Sequence, residues 1–200
     1  FKYRVINCAA YNVLWPIYSR SFYEHSYGSI PGRGTLKAVQ QLQRWMQIVR
    51  HKPSRWYVGK MDIAKFFFRV PVDVQLRELG RPLNDPDISG IGMQVGSLIS
   101  QTTANVVLTP ADHFIKRELH VPYYIRYMDD MLILCPSKEQ TWDAIHATDA
   151  YLQEHLGLEL NNKTAVVPVG ERVEFVGRIV TPDRIEIRKS TSLQMKRHLD

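Results

Sequence analysis

Two short runs rich in β-branched and aromatic residues, Tyr123–Tyr127 and Met131–Leu134, are separated only by Met128-Asp129-Asp130. Such runs around a short polar break predict a β-hairpin, here with two carboxylates at its tip. No other feature constrains the chain as much. A hairpin is marginal alone and must lay one face on a core. The 200 residues, 44% of them hydrophobic, suffice for one medium domain or a two-lobed piece of a larger one.

A second strand is predicted at Trp56–Ile63, which alternates and is rich in aromatic and β-branched residues. It ends at Asp62. Laid beside the hairpin, it brings Asp62, Asp129 and Asp130 to one edge among Ile63, Phe66, Tyr127 and Met131. Half-buried carboxylates in such surroundings repel one another unless a cation neutralises them. Hard divalent ions with oxygen ligands, Mg²⁺ above all, suit that need, and two of them ~3.5–4 Å apart serve phosphoryl transfer. Taken singly, an Asp-Asp turn is most often a solvated tip and an Asp ending a strand is commoner still. The weight comes from their joint occurrence with the segments around them.

Ile6, Ala9, Ala10, Val13, Leu14 and Ile17 keep helical spacing to about Pro16–Tyr18. After the turn-forming stretch 26–35, Thr35 is placed to cap a helix with Leu36, Val39, Leu42, Met46 and Val49 on its apolar face and Lys37, Arg44 and Arg50 on the other. Between Asp73 and Gly92 the chain is turn-rich. From Ser97 a long stripe runs through Ala104, Val107, Leu108, Ala111, Phe114 and Ile115, and Pro110 is expected to kink it or divide it with Thr109 as cap. Ser137-Lys138-Glu139-Gln140 is a capping box for a helix through Trp142, Ile145, Leu152 and Leu156 that stops at Gly157. Short strands are expected at 158–160, 165–169, 174–180 and 185–187. Strand, helix, hairpin, helix, strand is the order of an α+β split βαβ sheet, ferredoxin-like, with helices on one face.

The quoted hairpin Tyr127-Met128-Asp129-Asp130, with Asp62-Ile63-Ala64-Lys65-Phe66-Phe67 upstream and Gly96-Ser97-Leu98-Ile99-Ser100-Gln101-Thr102-Thr103-Ala104-Asn105 between, resembles the reverse transcriptases. Tyr27-Gly28-Ser29-Ile30-Pro31-Gly32-Arg33-Gly34-Thr35 resembles the segment before the long fingers helix. Leu158-Glu159-Leu160-Asn161-Asn162-Lys163-Thr164 and Phe175-Val176-Gly177 resemble the later palm and the primer grip. Within the family, Val95-Gly96-Ser97-Leu98-Ile99-Ser100-Gln101, together with Arg188-Lys189-Ser190, is similar to the enzymes of diversity-generating retroelements of bacteria and phages.

The resemblance implies a right-hand polymerase palm with part of the fingers: fingers over 1–55, palm over 56–180, and the start of a thumb or connection over 181–200. It implies an RNA-directed DNA polymerase that extends a DNA or RNA primer on template RNA with dNTPs, in an error-prone manner, using two Mg²⁺ ions or Mn²⁺ in their place. Asp62, the Ile63 carbonyl, Asp129 and Asp130 match the metal-binding positions, with Asp130 more peripheral. Lys65, Phe66, Phe67, Val95, Gly96 and Gln101 match the dNTP site, Phe67 as the gate against the ribose 2′-hydroxyl. Lys163 matches the lysine that protonates pyrophosphate, and Phe175, Val176 and Gly177 match the primer grip. A small basic helical accessory protein is the implied protein partner. Competing readings with the same carboxylates are template-independent or protein-primed DNA synthesis of the bacterial defence type, and a non-catalytic nucleic-acid-binding module.

Charge and cysteine usage fit this picture. Lys+Arg exceed Asp+Glu by 26 to 20, a net +6 that suits a polyanionic partner. Arg44, Arg50, Lys52, Arg55, Lys116, Arg117, Arg188 and Lys189, interleaved with Trp45 and Trp56, form a candidate track for a template–primer backbone. Cys8 and Cys135 are expected as buried thiols of a cytoplasmic protein. No run reaches the ~18 apolar residues of a membrane span, so no membrane partner is expected. Phe1-Lys2-Tyr3-Arg4 carries no secretory pattern, and the chain reads as a piece of a longer polypeptide.

Overall fold

A computed structural model describes residues 2–80, 90–93 and 97–188. Its centre is a four-stranded antiparallel sheet in the order β2-β3-β1-β4, made of β1 (Tyr57–Asp62), β2 (Tyr123–Tyr127), β3 (Asp130–Cys135) and β4 (Ala165–Pro168). The expected split arrangement is present, with the hairpin at one edge and β1 inside. Helix α1 spans Lys2–Tyr18 and α2 spans Thr35–Arg50; short α3 (Phe66–Arg69) and α4 (Val72–Glu78) follow β1. Then come α5 (Leu98–His113) and α6 (Lys138–Tyr151).

The alternation of each strand sorts its side chains between two cores. On one face Met61, Met131, Ile133, Cys135 and Tyr124 pack with Ala104, Leu108, Ala111, Ile145 and Leu152 of α5, α6 and the turn after it. On the other, Val58, Ile125, Leu132 and Leu134 meet Val39, Leu42, Met46 and Val49 of α2 and Phe175 and Val180 of a second, three-stranded sheet. That sheet is β5 (Val173–Phe175), β6 (Arg178–Val180) and β7 (Ile185–Ile187). Helix α6 lies tight on β1 at Gly59, where a Cβ would lie 2.7 Å from Thr141 Cγ2 of α6 and 2.9 Å from Ile133 Cγ1 of β3, both side-chain atoms. Gly59→Ala is expected to cost about 1–3 kcal/mol, read from the urea midpoint, because α6 must lift from β1.

Several local expectations are corrected. Thr35 is the first residue of α2 rather than its cap; Gly34 holds the cap position, and Leu36 is exposed. Pro110 does not divide α5, which runs unbroken from Leu98 to His113. Its missing N–H leaves one carbonyl without its helical donor, while the Thr109 hydroxyl donates to Asn105 O at 2.8 Å, and the helix widens afterwards into a π-turn at Phe114–Glu118. Burial along Thr102–Thr109 holds the segment helical against the proline's propensity. The expected strand 174–180 is two strands folded about Val176-Gly177, and 158–160 contributes only an isolated bridge, Ile63 to Leu160. The turn-rich stretch after Asp73 begins as α4; its part over 81–89 lies outside the described residues. Cys8 is exposed, whereas Cys135 is buried as expected. At the capping box Ser137 accepts from Gln140 N–H, and Gly157 ends the π-turn Leu152–Leu156 in the left-handed region.

Candidate active site

β1 and β3 pair so that Asp62 lies opposite Asp130, and Asp130 in turn lies opposite Tyr127 across β2. Cα partners of an antiparallel pair share a face, so both carboxylates emerge at the same end of the same face. Asp130 therefore opens β3 instead of sitting at the tip. The tip is the two-residue turn Met128-Asp129, with Met128 in the left-handed region at φ 54°. Ile63 N–H donates to Asp129 O at 3.4 Å, tying the end of β1 to that turn. The three carboxylates are half-buried.

Burial raises the Asp129 carboxyl above its ordinary range, opposed by its own backbone hydrogen bond, reinforced by Asp62 and relieved by Arg126. Burial, with Asp62, Asp129 and Glu174 adding to it against the pull of Lys60, pushes Asp130 up to about 6. A folded-state value above the unfolded one, near 3.9, means that the group favours the fold at low pH. That contribution is complete below about pH 4 and is lost as pH rises through about 6. In metal-free protein, Asp130→Asn is expected to raise stability at pH 8 by about 1–2 kcal/mol after allowance for partial exposure. The gain should vanish by pH 4, as urea midpoints across that range would register.

The donors are all oxygens, which suits a hard divalent cation. Among the described residues no three acidic, histidine or cysteine side chains converge tightly enough to hold a metal by themselves. The mutual repulsion at Asp129 and Asp130 is nevertheless what a cation relieves, and substrate phosphate oxygens and water supply ligands that carboxylates do not. The set fits Mg²⁺ in chemistry and in placement at one sheet end.

Around the carboxylates, Lys65 caps α3 in the left-handed region at φ 50°. No acceptor among the described residues meets the N–H of Lys65, Phe66 or Phe67. Phe66 is a core residue, Phe67 is half-buried with its ring edge-on to Phe66 at 5.4 Å, and Phe68 is exposed. Its carbonyl accepts from Met93 N–H at 2.6 Å. Val95 and Gly96 lie outside the described residues, as do Lys189 and Ser190. Gln101 stands in the first turn of α5, and its carbonyl accepts from Asn105 Nδ2 at 3.3 Å. Lys163 is exposed on the loop between Leu160 and β4. Phe175 is buried, while Val176 (φ 44°) and Gly177 (φ 75°) form the turn of the β5–β6 hairpin. Arg188 N–H reaches Gly177 O at 3.2 Å, and the Arg188 guanidinium pairs with Glu174.

The basic track does not persist as a stacking surface. Trp45 and Trp56 are core residues at 6% exposure, with the Lys52 ammonium 4.6 Å from the Trp56 ring. Arg50 is paired with Asp183 at 2.6 Å, and Lys116 donates to the carbonyls of Val121 and Pro122.

Sequence reasoning missed the support beneath the site. Arg126 and Asp112 are both fully buried and bonded through both carboxylate oxygens at 2.7 Å. Arg126 Nη1 also donates to Asn105 Oδ1 at 3.0 Å and to Met128 O at 3.1 Å, and Tyr124 OH donates to Asp112 at 2.6 Å. Asn105 and Asp112, seven residues apart on α5, share its inward face, a spacing visible beforehand. Asn161, on the other side, hydrogen-bonds the side chain and backbone of Asp62.

Residues 1–180 match the family model described as reverse transcriptase (RNA-dependent DNA polymerase). Among solved structures, the telomerase of Candida albicans, in complex with a fragment of telomeric RNA, gives a TM-score of 0.61 at 13% identity, over 92% of this chain and 37% of its own. Apo telomerase of Candida tropicalis gives 0.63 at 10% identity, over 94% of this chain and 40% of its own. The chain thus spans 37–40% of the length of these two structures. At such identities the likeness establishes a shared fold. No curated protein matches the chain.

Proposed function

Because the chain belongs to the reverse transcriptase family, we propose that it forms the catalytic core of an RNA-directed DNA polymerase. The observation that carries the reading is the register of Asp62 against Asp130, with Asp129 on the adjoining turn held to Ile63. In the reaction the primer 3′-hydroxyl oxygen forms a bond to the α-phosphorus of a dNTP as the bond from that phosphorus to the pyrophosphate oxygen breaks. Divalent cations, when bound, lower the pKa of the attacking hydroxyl and neutralise charge on the transferring phosphoryl group. Asp62, Asp129, Asp130 and the Ile63 carbonyl supply the oxygen ligands. The backbone N–H groups of Lys65 and Phe66 face the triphosphate, and Lys163 gives a proton to the departing pyrophosphate. The Val176-Gly177 turn lets the backbone approach the primer.

In this reading residues 1–55 are fingers, 56–180 palm and 181–200 the start of thumb or connection, this last part beginning at the turn into β7. Template RNA, primer and dNTPs are the partners. Among the described residues no helix is long and apolar enough to cross a membrane. Within the family we assign the chain to the error-prone enzymes of diversity-generating retroelements, on Val95-Gly96 and Ser100-Gln101. A branched apolar side chain at 95 removes a polar check on the incoming base.

The test is extension of a DNA primer on an RNA template with Mg²⁺ and dNTPs by the protein containing this chain, with errors scored by template base. Extension abolished in Asp129→Ala is the expected result, with misincorporation gathered opposite adenine. Accurate extension removes the retroelement assignment. Synthesis without a template moves the chain to the defence-type enzymes, and nucleic-acid binding with no synthesis by either protein defeats the catalytic reading. Phe67→Val should raise ribonucleotide incorporation by about 10–100-fold, since the discrimination at stake is one steric contact of about 1–3 kcal/mol. Unchanged sugar selectivity in competition assays would leave Phe67 as packing alone.

A further inference from the structure

Asn161 is bonded to Asp62 twice. Its backbone N–H donates to Asp62 O at 2.8 Å, and its side-chain Nδ2 donates to Asp62 Oδ2. Its Oδ1 accepts the backbone N–H of Lys163 at 2.8 Å, and its carbonyl accepts from Thr164 N–H at 3.3 Å and Oγ1 at 3.0 Å. The bridge of Ile63 to Leu160 and the bond of Ala64 N–H to Glu159 O, 2.9 Å, lay this loop alongside the end of β1. One half-buried amide therefore joins the first carboxylate of the site to the backbone of the loop lysine.

The chemistry of that amide suits the task. An uncharged donor fixes one carboxylate oxygen without cancelling the charge that a cation needs, as a lysine or arginine in its place would. Among the described residues no other side chain bonds Asp62, so its Oδ1 is left free of them and is aimed by the bond to its twin. Outer partners that orient a metal-binding carboxylate typically govern affinity by about 10–100-fold. The acceptor side of the same amide closes the turn at Asn161–Lys163, an Asx-type bond that sets where Lys163 leaves the backbone.

We propose that Asn161 is a positioning residue, which orients Asp62 toward a divalent cation and fixes the loop that presents Lys163. The inference rests on the reading of Asp62 as a cation ligand. Its test uses the intact protein bound to primer and template without dNTP, with Mn²⁺ as the probe followed by electron paramagnetic resonance. Asn161→Ala removes both side-chain bonds; Asn161→Ser keeps an acceptor for the Lys163 N–H yet is too short to reach Asp62. Both are expected to weaken Mn²⁺ binding by about tenfold and to raise the Mg²⁺ concentration for half-maximal extension in proportion, with primer–template affinity unchanged. If Asn161→Ala fails to fold, Asn161→Ser decides. Wild-type Mn²⁺ affinity in the folded variants overturns the proposal, while loss of extension in Asp129→Ala still upholds the polymerase. Full extension by Asp129→Ala removes both.

Discussion

Arg126→Met is expected to lower stability by about 3–5 kcal/mol, the cost of leaving one member of a buried ion pair without the other. Arg126 has no solvent exposure and neither has Asp112. Burial alone would lower the pKa of the guanidinium, yet the Asp112 carboxylate holds it above its ordinary value. All three guanidinium nitrogens donate to Asp112, Asn105 and Met128 O. With methionine in place, Asp112 keeps only the Tyr124 hydroxyl among these partners, and the Met128 carbonyl loses its donor. Urea denaturation measures the loss. A second change, Asp112→Leu, removes the stranded charge and should recover part of it, less the cost of the unpaired Tyr124 hydroxyl. A single-variant loss below about 1 kcal/mol would mean that water or rearrangement satisfies Asp112, and that the pair is not a rigid support for the turn.

Gly28→Ala should damage activity more than stability. A Cβ there would sit 2.5 Å from Met128 N, 2.6 Å from its Cγ and 2.8 Å from its Sδ. The first is backbone and cannot rotate away. Gly28 has no positive φ, so the requirement is for space and not for conformational freedom. Either the 25–28 segment retreats, breaking Tyr27 N–H to Arg126 O (2.8 Å) and Asn105 Nδ2 to Gly28 O (3.0 Å), or the Met128-Asp129 turn moves. Overpacking of this kind costs about 1–3 kcal/mol. A displacement of about 1 Å at a reacting group costs about 10²-fold in rate, which primer-extension kinetics would show. Gly32 is the contrast: a Cβ there meets nothing within 4 Å, but its φ is 75°. Gly32→Ala should cost about 1 kcal/mol through backbone strain and leave the extension rate intact. Equal kinetic losses in the two variants would show that the contact with Met128 has no special part in catalysis.

Local chemistry was readable where a few neighbouring residues decide the outcome. Ser137 caps α6 because a hydroxyl three residues before a free N–H needs no distant partner, and Gly157 ends the following turn with a left-handed φ of 63° that glycine adopts freely. The alternation of Trp56–Ile63 and the runs flanking Met128-Asp129-Asp130 likewise declared β1 and the hairpin. The division of 174–180 was not declared, since its turn is Val176-Gly177, with a β-branched residue at φ 44° where asparagine or aspartate would have signalled it. Pro110 misled because its propensity is outweighed by helix packing that lies far away in sequence.

The residue types of the candidate site, three carboxylates, a lysine and an aromatic at family-like spacing, stood in the sequence alone, because metal binding and phosphoryl transfer restrict which side chains serve. Their arrangement did not. That Asp130 begins a strand opposite Asp62, that Arg126 and Asp112 meet in the core, and that Asn161 reaches back 99 residues to Asp62 follow from register and packing between distant segments. Those contacts cost chain entropy before they return any energy, and only the assembled sheet and its two cores make that exchange favourable, which is why tertiary structure alone decided them.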